Sequence, residues 1–351
     1  MSLTVIYIFK NREAERVYKS LDSLRLQTNK NFNIVFIDYG SDTVLDLKKY
    51  SDVHYVYLDI KKQPWNKSKA INYAVKNLVQ TSYCFIADID MIFHQDFIET
   101  AVSLTKNHDC FYFSVAYLKQ NILDKNKLFN PINFIKISNH EATGMTVFKT
   151  EILRQINGFD EFFHFWGSED TDIHNRIKNL GYNVYFFNEK TLMLHQWHKS
   201  HIASENNKLT VNLRLSNITR LNQTKSFYNK SYKLVKVNDT WGEIKANSHL
   251  EAITPIEVPT YKSHIDLWLN YKIHKLNPGE QLALKFYLPS EVLSLKYRIK
   301  KTLGKNVLNF YNLKEVNDLL LLQIITHLHT KPYSVEVSKN LDYIVFRIEN
   351  I

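Results

Sequence analysis

The chain has few cysteines, prolines and glycines: two, seven and eight respectively among 351 residues. Two cysteines, Cys84 and Cys110, are too few for a disulfide framework, which predicts a protein of a reducing compartment. The low proline and glycine content, beside 44% hydrophobic residues, excludes a collagen-like or disordered chain. No apolar run approaches the roughly 18 residues of a membrane span, and Met1–Lys10 lacks the features of a signal peptide. We therefore expect a folded, cytoplasmic protein without a signal peptide or a membrane span.

Positive charge is concentrated in the second part of the chain. Residues 1–200 hold 24 Lys and Arg against 22 Asp and Glu, whereas residues 201–351 hold 21 against 13. Such an excess indicates an anionic partner, such as a phospholipid surface, a polyanionic glycan or nucleic acid. An ordinary solvated surface is the commoner explanation.

The order of apolar runs predicts an α/β domain followed by a β-rich one. Up to about residue 215, short runs rich in Val, Ile, Tyr and Phe alternate with stretches of helical periodicity, which predicts βα units and a mainly parallel central sheet. The predicted strands are 3–9, 32–38, 53–58, 83–87, 110–117, 146–149 and 184–187, and the predicted helices are 13–26, 67–78, 151–156 and 170–180. Later runs indicate strands at 232–237, 265–273, 282–288 and 343–348, with a helix at 313–327. We expect a domain over residues 1–215 and a smaller accessory domain over residues 216–351.

An acidic pair follows the fourth predicted strand. Asp88 and Asp90 are separated by one residue, so their side chains share a face of an extended segment. The carboxyl ends of strands in open α/β sheets are where ligands bind. Carboxylate oxygens there suit Mg²⁺ or Mn²⁺ holding a diphosphate. The pattern alone is common in solvated turns, but its position after a buried strand favours a functional site.

Three other segments carry candidate functional groups. Residues 38–42 follow a buried strand and could present a carboxylate and amides to a base or ribose, or form an ordinary turn. Residues 166–172 place three acids at a helix start, where the helix dipole stabilises negative charge. The aromatic residues before those acids are typical of a sugar-stacking floor beside a general base. His195, His198 and His201 recur every third residue, which predicts at least one accessible metal ligand.

Five segments, in this order, resemble motifs of the GT-A glycosyltransferases, specifically the bacterial family-2 enzymes and the β-1,4-galactosyltransferase and chondroitin-polymerase type. The resemblance spans about residues 3–200. The segments, with the motifs they resemble, are Phe9–Arg12 (Phe-Arg-Asn-Arg), Trp65–Asn72 (Asn-Arg-Ala-Lys-x-x-Asn), Asp88–Asp90 (Asp-x-Asp), Asn157–Asp160 (Asn-Gly-Phe) and Trp166–Asp172 (Trp-Gly-Gly-Glu-Asp-Asp-Asp).

The resemblance implies a GT-A nucleotide-diphospho-sugar transferase fold. It also implies an inverting, metal-dependent glycosyltransferase that moves a hexose or N-acetylhexosamine from a UDP-sugar to a glycan or lipid-linked acceptor, in surface polysaccharide or lipooligosaccharide synthesis. Asp170 would be the catalytic base and Glu169 would hold a sugar. Asp90 and His195 would ligate Mn²⁺ (or Mg²⁺), with Asp88 near the metal or ribose. The implied nucleotide-sugar-binding residues are Phe9, Asn11, Arg12, Asp38 (at the nucleobase), Lys69, Asp88, Trp166 and Gly167.

Four positions depart from the motifs: Lys10 replaces an Arg, Ser168 a Gly, Thr171 an Asp, and Leu192 a methionine metal ligand. A non-catalytic nucleotide-sugar or carbohydrate-binding module of the same fold is the alternative function. A magnesium phosphatase would need its acidic pair after the first strand, where Lys10, Asn11 and Arg12 stand instead.

A basic stretch in the second part of the chain indicates a docking surface. We expect it to contact an anionic glycan or, preferably, the inner face of the cell membrane, and we expect no nucleic-acid partner; a solvated helix face is the alternative. The stretch contains Lys296, Arg298, Lys300, Lys301 and Lys305 close to Tyr297.

Overall fold

The computed structural model describes residues 2–124, 127–198, 208–305 and 307–351. The chain forms two compact units that are each discontinuous in sequence. The first comprises Met1–Leu58, Asn66–Ser200 and Thr219–Ile244, and the second comprises Asp59–Trp65, His201–Ile218 and Lys245–Ile351. This division differs from the predicted boundary at residue 215, because residues 219–244 pack within the first unit and residues 59–65 within the second.

The described residues of the first unit form eleven strands in two sheets. The strands are β1 (Leu3–Phe9), β2 (Phe32–Asp38), β3 (Val53–Tyr57), β4 (Tyr83–Ala87), β5 (Met91–Phe93), β6 (Cys110–Phe113), β7 (Ala116–Leu118), β8 (Phe134–Ile137), β9 (Thr146–Lys149), β10 (Tyr185–Phe187) and β11 (Met193–His195). The larger sheet has the order β10-β6-β9-β4-β1-β2-β3, and the smaller has the order β5-β11-β7-β8. In the larger sheet only the pairs that include β9 are antiparallel. The predicted α/β class with a mainly parallel central sheet is therefore confirmed.

The described residues of the first unit form six helices: α1 (Ala14–Arg25), α2 (Lys67–Asn77), α3 (Phe97–Leu104), α4 (Thr150–Gln155), α5 (Glu169–Asn179) and α6 (Ile218–Ser231). Helices α1, α2, α4 and α5 lie close to their predicted positions, whereas α3 and α6 were not predicted. All residues of β1 are buried, which explains its continuous apolar run, since a central parallel strand is covered on both faces. The register pairs Phe9 with Asp38 at the carboxyl ends of β1 and β2, and the parallel strand β4 ends at the same edge.

The second unit contains one four-stranded sheet and four α-helices among its described residues. The strands β12 (Ile256–Pro259), β13 (Gln281–Tyr287), β14 (Tyr333–Val337) and β15 (Tyr343–Glu349) have the order β12-β13-β15-β14. The helices are α7 (Lys262–Asn270), α8 (Ser290–Leu293), α9 (Leu295–Thr302) and α10 (Leu313–Gln323). Within the part of the chain that is described, no helix combines the length and the hydrophobicity that crossing a bilayer requires.

Two strands predicted in the later part of the chain were wrong. Residues 265–273 are mostly helix α7, because the buried residues Ile265, Leu269 and Ile273 recur every fourth position while Leu267 between them is exposed. Residues 232–237 follow helix α6 and contain no strand.

Candidate active site

Three side chains of the first unit form a cluster that could hold a metal ion: Asp90, His195 and His198. One ligand atom from each lies within 4.8 Å of the others. The Asp90 Oδ2 atom is 3.8 Å from His195 Nε2 and 3.3 Å from His198 Nε2. Asp90 and His195 were predicted metal ligands, and His198 joins them here. His201 lies outside the described residues.

The small sheet brings these residues together from distant parts of the sequence. Strand β11 pairs antiparallel with β5, so that His195 lies opposite Met91, the residue after Asp90. The next residue along, Gln196, donates its backbone N–H to the Asp90 carbonyl at 3.0 Å. Strand β7 supplies Tyr117, whose ring stacks on the His195 ring at a centroid distance of 5.0 Å. The cluster is thus fixed by backbone pairing on one side and by an aromatic ring on the other.

Positive charge around Asp90 keeps its carboxylate ionised. Burial by itself raises the pKa of this group, but the hydrogen bond with His198 and the charges of His195 and Arg16 outweigh it, and the pKa lies below its ordinary value. The Arg16 guanidinium comes from helix α1, with Nη1 3.9 Å from Asp90 Oδ2. Sequence reasoning missed Arg16, because it stands on a helix face between the recognised motifs.

Lys67, the first residue of helix α2, connects the acidic pair to the acids of helix α5. Its Nζ atom donates to Asp88 Oδ1 at 2.9 Å. Burial disfavours the charged amine, yet the carboxylates of Asp88, Asp170 and Glu169 raise the Lys67 pKa above its ordinary value. The charge of Lys67 therefore interacts with those of Asp88, Glu169 and Asp170. Sequence reasoning named Lys69 instead of Lys67.

Asp170 is a buried carboxyl group with a strongly raised pKa. Burial, opposed by Lys67 and assisted by the negative charges of Glu169 and Asp88, raises the pKa of Asp170 from 3.8 to about 7. Its Oδ2 atom lies 3.4 Å from where a Cβ on Gly144 would stand, so the absence of a side chain there leaves room for the carboxylate. A carboxylate that titrates near neutral pH can both accept and release a proton under ordinary conditions.

A contorted loop leads into helix α5. Phe165, Gly167 and Ser168 have φ values of 62°, 105° and 72°, in the left-handed region. The strain at Ser168 explains why a glycine at this motif position suits the conformation. Trp166 is exposed, and its carbonyl accepts a hydrogen bond from Asn222 of helix α6 at 3.0 Å. The Trp166 side chain is therefore open to solvent, three residues before Glu169 in the sequence.

Asp172 is a structural acid. It is fully buried, and its two oxygens accept hydrogen bonds from Arg176 Nε and Asn229 Nδ2, both at 2.8 Å. Asn229 also donates to Asp160 Oδ2 at 2.9 Å. Arg176 donates to the Gly158 carbonyl at 2.7 Å, which ties the Asn-Gly-Phe segment to helix α5. These motif residues therefore hold the site in shape.

The helix start at residues 66–72 has a similar supporting role. Asn66 caps helix α2 by accepting from the Lys69 backbone N–H at 2.8 Å. Asn72 accepts from the Phe159 N–H at 2.7 Å and donates to Glu161 Oε1 at 2.9 Å. Lys69 is buried, and its charge acts on the buried Glu161 carboxylate. Its side chain therefore has a charged partner inside the first unit.

The remaining predicted residues lie around the ends of β1 and β2. Phe9 is buried in the core. Asp38 is fully buried, and its carboxylate accepts from the Ser41 N–H at 2.8 Å and from the Tyr55 hydroxyl at 2.7 Å. Asn11 and Asp42 exchange two hydrogen bonds of 2.9 Å that join the two loops. Arg12 is exposed next to them.

The structure thus brings two groups of the predicted residues together, and the other predicted residues lie outside both groups. The metal cluster contains Asp90 and His195, and the charged set around Lys67 contains Asp88, Glu169 and Asp170. Leu192, which replaces a methionine metal ligand, is fully buried. The repeated histidine spacing was the one sequence signal for His198.

Part of the chain is similar to known proteins. A family model described as the N-terminal domain of galactosyltransferase matches residues 128–199, which include the Asn157–Asp160 and Trp166–Asp172 segments and His195. The chain is 28% identical over 149 residues to beta-1,4-galactosyltransferase 5 of Sus scrofa, covering 40% of this chain and 33% of that protein. It is 28% identical over 141 residues to beta-1,4-galactosyltransferase 6 of Homo sapiens, covering 40% and 34%.

The chain therefore spans about a third of the length of the curated relatives it matches. Among solved structures, S. aureus TarS 1-349 in complex with UDP is similar with a TM-score of 0.46 and 16% identity, covering 66% of this chain and 68% of that chain. GalNAc-T7 with UDP, GalNAc and Mn2+ gives 0.44 and 12%, covering 57% and 44%. The matches to the galactosyltransferases confirm the predicted resemblance: the chain carries a galactosyltransferase-like region within an α/β fold.

Proposed function

We propose that this protein is an inverting, metal-dependent glycosyltransferase that transfers a hexose or N-acetylhexosamine from a UDP-sugar to a glycan or lipid-linked acceptor. The observation that carries the proposal is the position of Lys67. It is paired with Asp88, two residues from the metal cluster, and its charge also acts on Asp170, the candidate base. A site for a diphosphate and a base for an acceptor hydroxyl thereby belong to one charged network.

The donor set of the cluster fits the proposed cofactor. One carboxylate and two imidazoles suit Mn²⁺ better than Mg²⁺, which prefers oxygen ligands. When bound by Asp90, His195 and His198, such a cation would neutralise negative charge on the departing diphosphate. Lys67 and Arg16 would add fixed positive charge on the same side.

Asp170 would remove the proton from the acceptor hydroxyl as the hydroxyl oxygen forms its bond to the anomeric carbon. The bond from that carbon to the diphosphate breaks in the same displacement, so the configuration inverts and no covalent intermediate on the protein is needed. Glu169 would hold a sugar hydroxyl, and the exposed Trp166 ring would stack on a sugar face. The route in which such a product belongs, surface polysaccharide or lipooligosaccharide synthesis, is part of the same proposal.

Incubation with Mn²⁺ and a panel of UDP-sugars tests the proposal through release of UDP. We expect release with at least one UDP-hexose or UDP-N-acetylhexosamine, faster when the acceptor sugar is supplied. The matched control is Asp170→Asn, which keeps the shape of the side chain. Binding of UDP-sugars by calorimetry without release from any of them would instead favour the alternative, a non-catalytic binding module.

A further inference from the structure

Helix α9 of the second unit carries an exposed apolar face. Leu295 and Ile299 in the helix and Leu303, the residue at its C-terminal cap, follow one another at every fourth position and are 72%, 50% and 65% exposed. Residues at this spacing lie on one side of a helix. A continuous stripe of large apolar side chains differs from scattered surface residues, because it marks a surface that contacts another body.

The opposite side of the same helix is the packed one. The Tyr297 ring lies 5.7 Å from the Phe310 ring, and the Lys301 ammonium lies 5.8 Å from that ring. The Tyr297 hydroxyl donates to the Leu308 carbonyl at 2.9 Å. Tyr297, Lys301 and Phe310 also line a cavity of about 540 Å³. These contacts anchor the helix by one face, so the outward stripe is not needed to hold it.

Positive charge surrounds the stripe. Residues 292–314 contain six Lys and Arg and no Asp or Glu. Lys296 and Lys300 are exposed, and each directly follows a residue of the stripe in sequence. The Arg298 side chain lies outside the described part of the structure. Apolar side chains flanked by cations are the composition of helices that lie in the headgroup region of a bilayer.

We propose that helix α9 is a docking surface for an anionic phospholipid bilayer. The stripe Leu295, Ile299 and Leu303 would enter the boundary between headgroups and acyl chains, while Lys296 and Lys300 reach the lipid phosphates. Charge complementarity favours an anionic bilayer over a second copy of the chain as the partner of this surface. A second copy of the chain would bring the same acid-free cationic segment against this one and would be repelled. The proposal is independent of the sugar-transfer chemistry.

Co-sedimentation of the full chain with lipid vesicles tests the proposal. We expect binding to vesicles of phosphatidylcholine mixed with phosphatidylglycerol, weaker binding at high salt, and little binding to phosphatidylcholine alone. The triple variant Leu295→Ser, Ile299→Ser, Leu303→Ser should lose at least about tenfold in vesicle affinity. Leu26→Ser is the matched control, since Leu26 is 74% exposed in the first unit. Equal binding by the wild type and the triple variant would overturn the proposal.

The contribution of charge is tested separately. The double variant Lys296→Gln, Lys300→Gln should lose roughly fivefold in affinity per neutralised lysine at low salt, and the loss should vanish at high salt. Lys339→Gln, at another exposed lysine of the second unit, is the control. Equal affinity of the double variant and the wild type at low salt would contradict the proposal.

A fluorescent label reports whether the stripe itself enters the lipid. Cys84 and Cys110 are buried, so a cysteine introduced by Ile299→Cys can be labelled selectively with an environment-sensitive fluorophore. Its emission should shift to the blue on addition of anionic vesicles, whereas a label at Leu26→Cys should not respond. A dimeric wild type that becomes monomeric in the triple variant, without vesicle binding, would assign the stripe to a second copy and overturn the proposal.

Discussion

Asp88 and Asp90 show how two neighbouring carboxylates of one motif acquire different partners. Asp90 is largely buried among imidazoles and Arg16, whereas the half-exposed Asp88 is paired with Lys67. The motif pattern treats the two acids as equivalent, because residues two apart on an extended segment share a face. The turn that joins β4 to β5 separates them, and among the described residues Asp90 has two histidine neighbours while Asp88 is paired with Lys67.

His198 is expected to be as important for metal binding as His195. Replacing it by alanine removes one of three possible ligands, so Mn²⁺ affinity measured by calorimetry in the presence of UDP should fall about tenfold to 100-fold. The same experiment with Asp90→Ala should give no Mn²⁺-dependent UDP binding. His140→Ala, at an exposed histidine, is the control. Unchanged affinity in His198→Ala would remove this residue from the metal site.

Asp170→Asn should separate catalysis from binding. The amide keeps the shape but not the basicity, so the transfer rate should fall about 100-fold or more, with UDP affinity unchanged.

The Asp170→Asn variant should also be more stable than the wild type at pH 8. Because burial raises the folded-state pKa from 3.8 to about 7, the ionised carboxylate costs stability as the pH rises through that interval.

We therefore expect the thermal midpoint of Asp170→Asn to exceed that of the wild type by about 2 °C or more at pH 8, and to equal it near pH 4. Glu169→Gln is the comparison for the kinetic result. Transfer by Asp170→Asn at the wild-type rate would move the role of base to Glu169.

Lys67 should set the pH at which the enzyme becomes active. Its charge lowers the Asp170 pKa against the effect of burial, so kcat/KM should rise with pH and level off above about 7. In Lys67→Gln the rising limb should move to higher pH at saturating Mn²⁺, while Lys106→Gln, at an exposed lysine, leaves it in place. A profile that only drops in height would show that Lys67 acts on substrate binding alone.

At the scale of elements, helix α2 and the Asn-Gly-Phe turn pack closely together at Gly158. A Cβ added to Gly158 would stand 2.1 Å from Asn72 Oδ1, and Gly158 has a φ of +67°. Gly181 has a φ of +96° but nothing within 4 Å, so Gly181→Ala measures backbone strain alone. In urea unfolding, Gly158→Ala should lose about 2 kcal/mol or more beyond the loss in Gly181→Ala. Equal losses would mean that Asn72 moves aside without cost.

Most strands and helices of the first unit could be predicted, because buried parallel strands and amphipathic helices have distinct apolar spacings. The apolar spacing gave a wrong prediction at residues 265–273. Apolar residues at every second position resemble a strand there, but the buried ones are four positions apart, as in a helix. The motif resemblance singled out Asp170 and Asp90. It does not distinguish residues that would contact a ligand from residues that only hold the site in shape. Asp38, at the end of strand β2, and Asn72, in helix α2, form their hydrogen bonds within the protein itself.

At the scale of the whole molecule, the first unit depends on residues beyond the predicted boundary. Helix α6 supplies Asn229 to the buried Asp160 and Asp172, and Asn222 to the backbone of the loop before helix α5. These asparagines belong to none of the motifs recognised in the sequence. The predicted boundary follows a change in composition, which carries no information about a hydrogen bond between residues 57 positions apart. Their side chains are recognisable only in the folded chain.

Two truncated chains should therefore behave differently. A chain of residues 1–215 leaves both buried carboxylates without Asn229, and we expect it to lack a cooperative thermal transition by circular dichroism. A chain of residues 1–244 retains every segment of the first unit and should keep that transition. Matching transitions in the two chains would show that helix α6 contributes little to the first unit.

The same helix affects the order of events while the protein is being made. Asp160 and Asp172 leave the ribosome 69 and 57 residues ahead of Asn229. At about 5–20 residues per second, the delay is roughly 3–14 seconds. During that time the nascent chain carries two acids whose shared amide partner has not yet been synthesised, so closing the surrounding core is unfavourable. Helix α5, with Asp170 at its start, should accordingly become ordered late in translation, only after the last helix of the first unit has emerged.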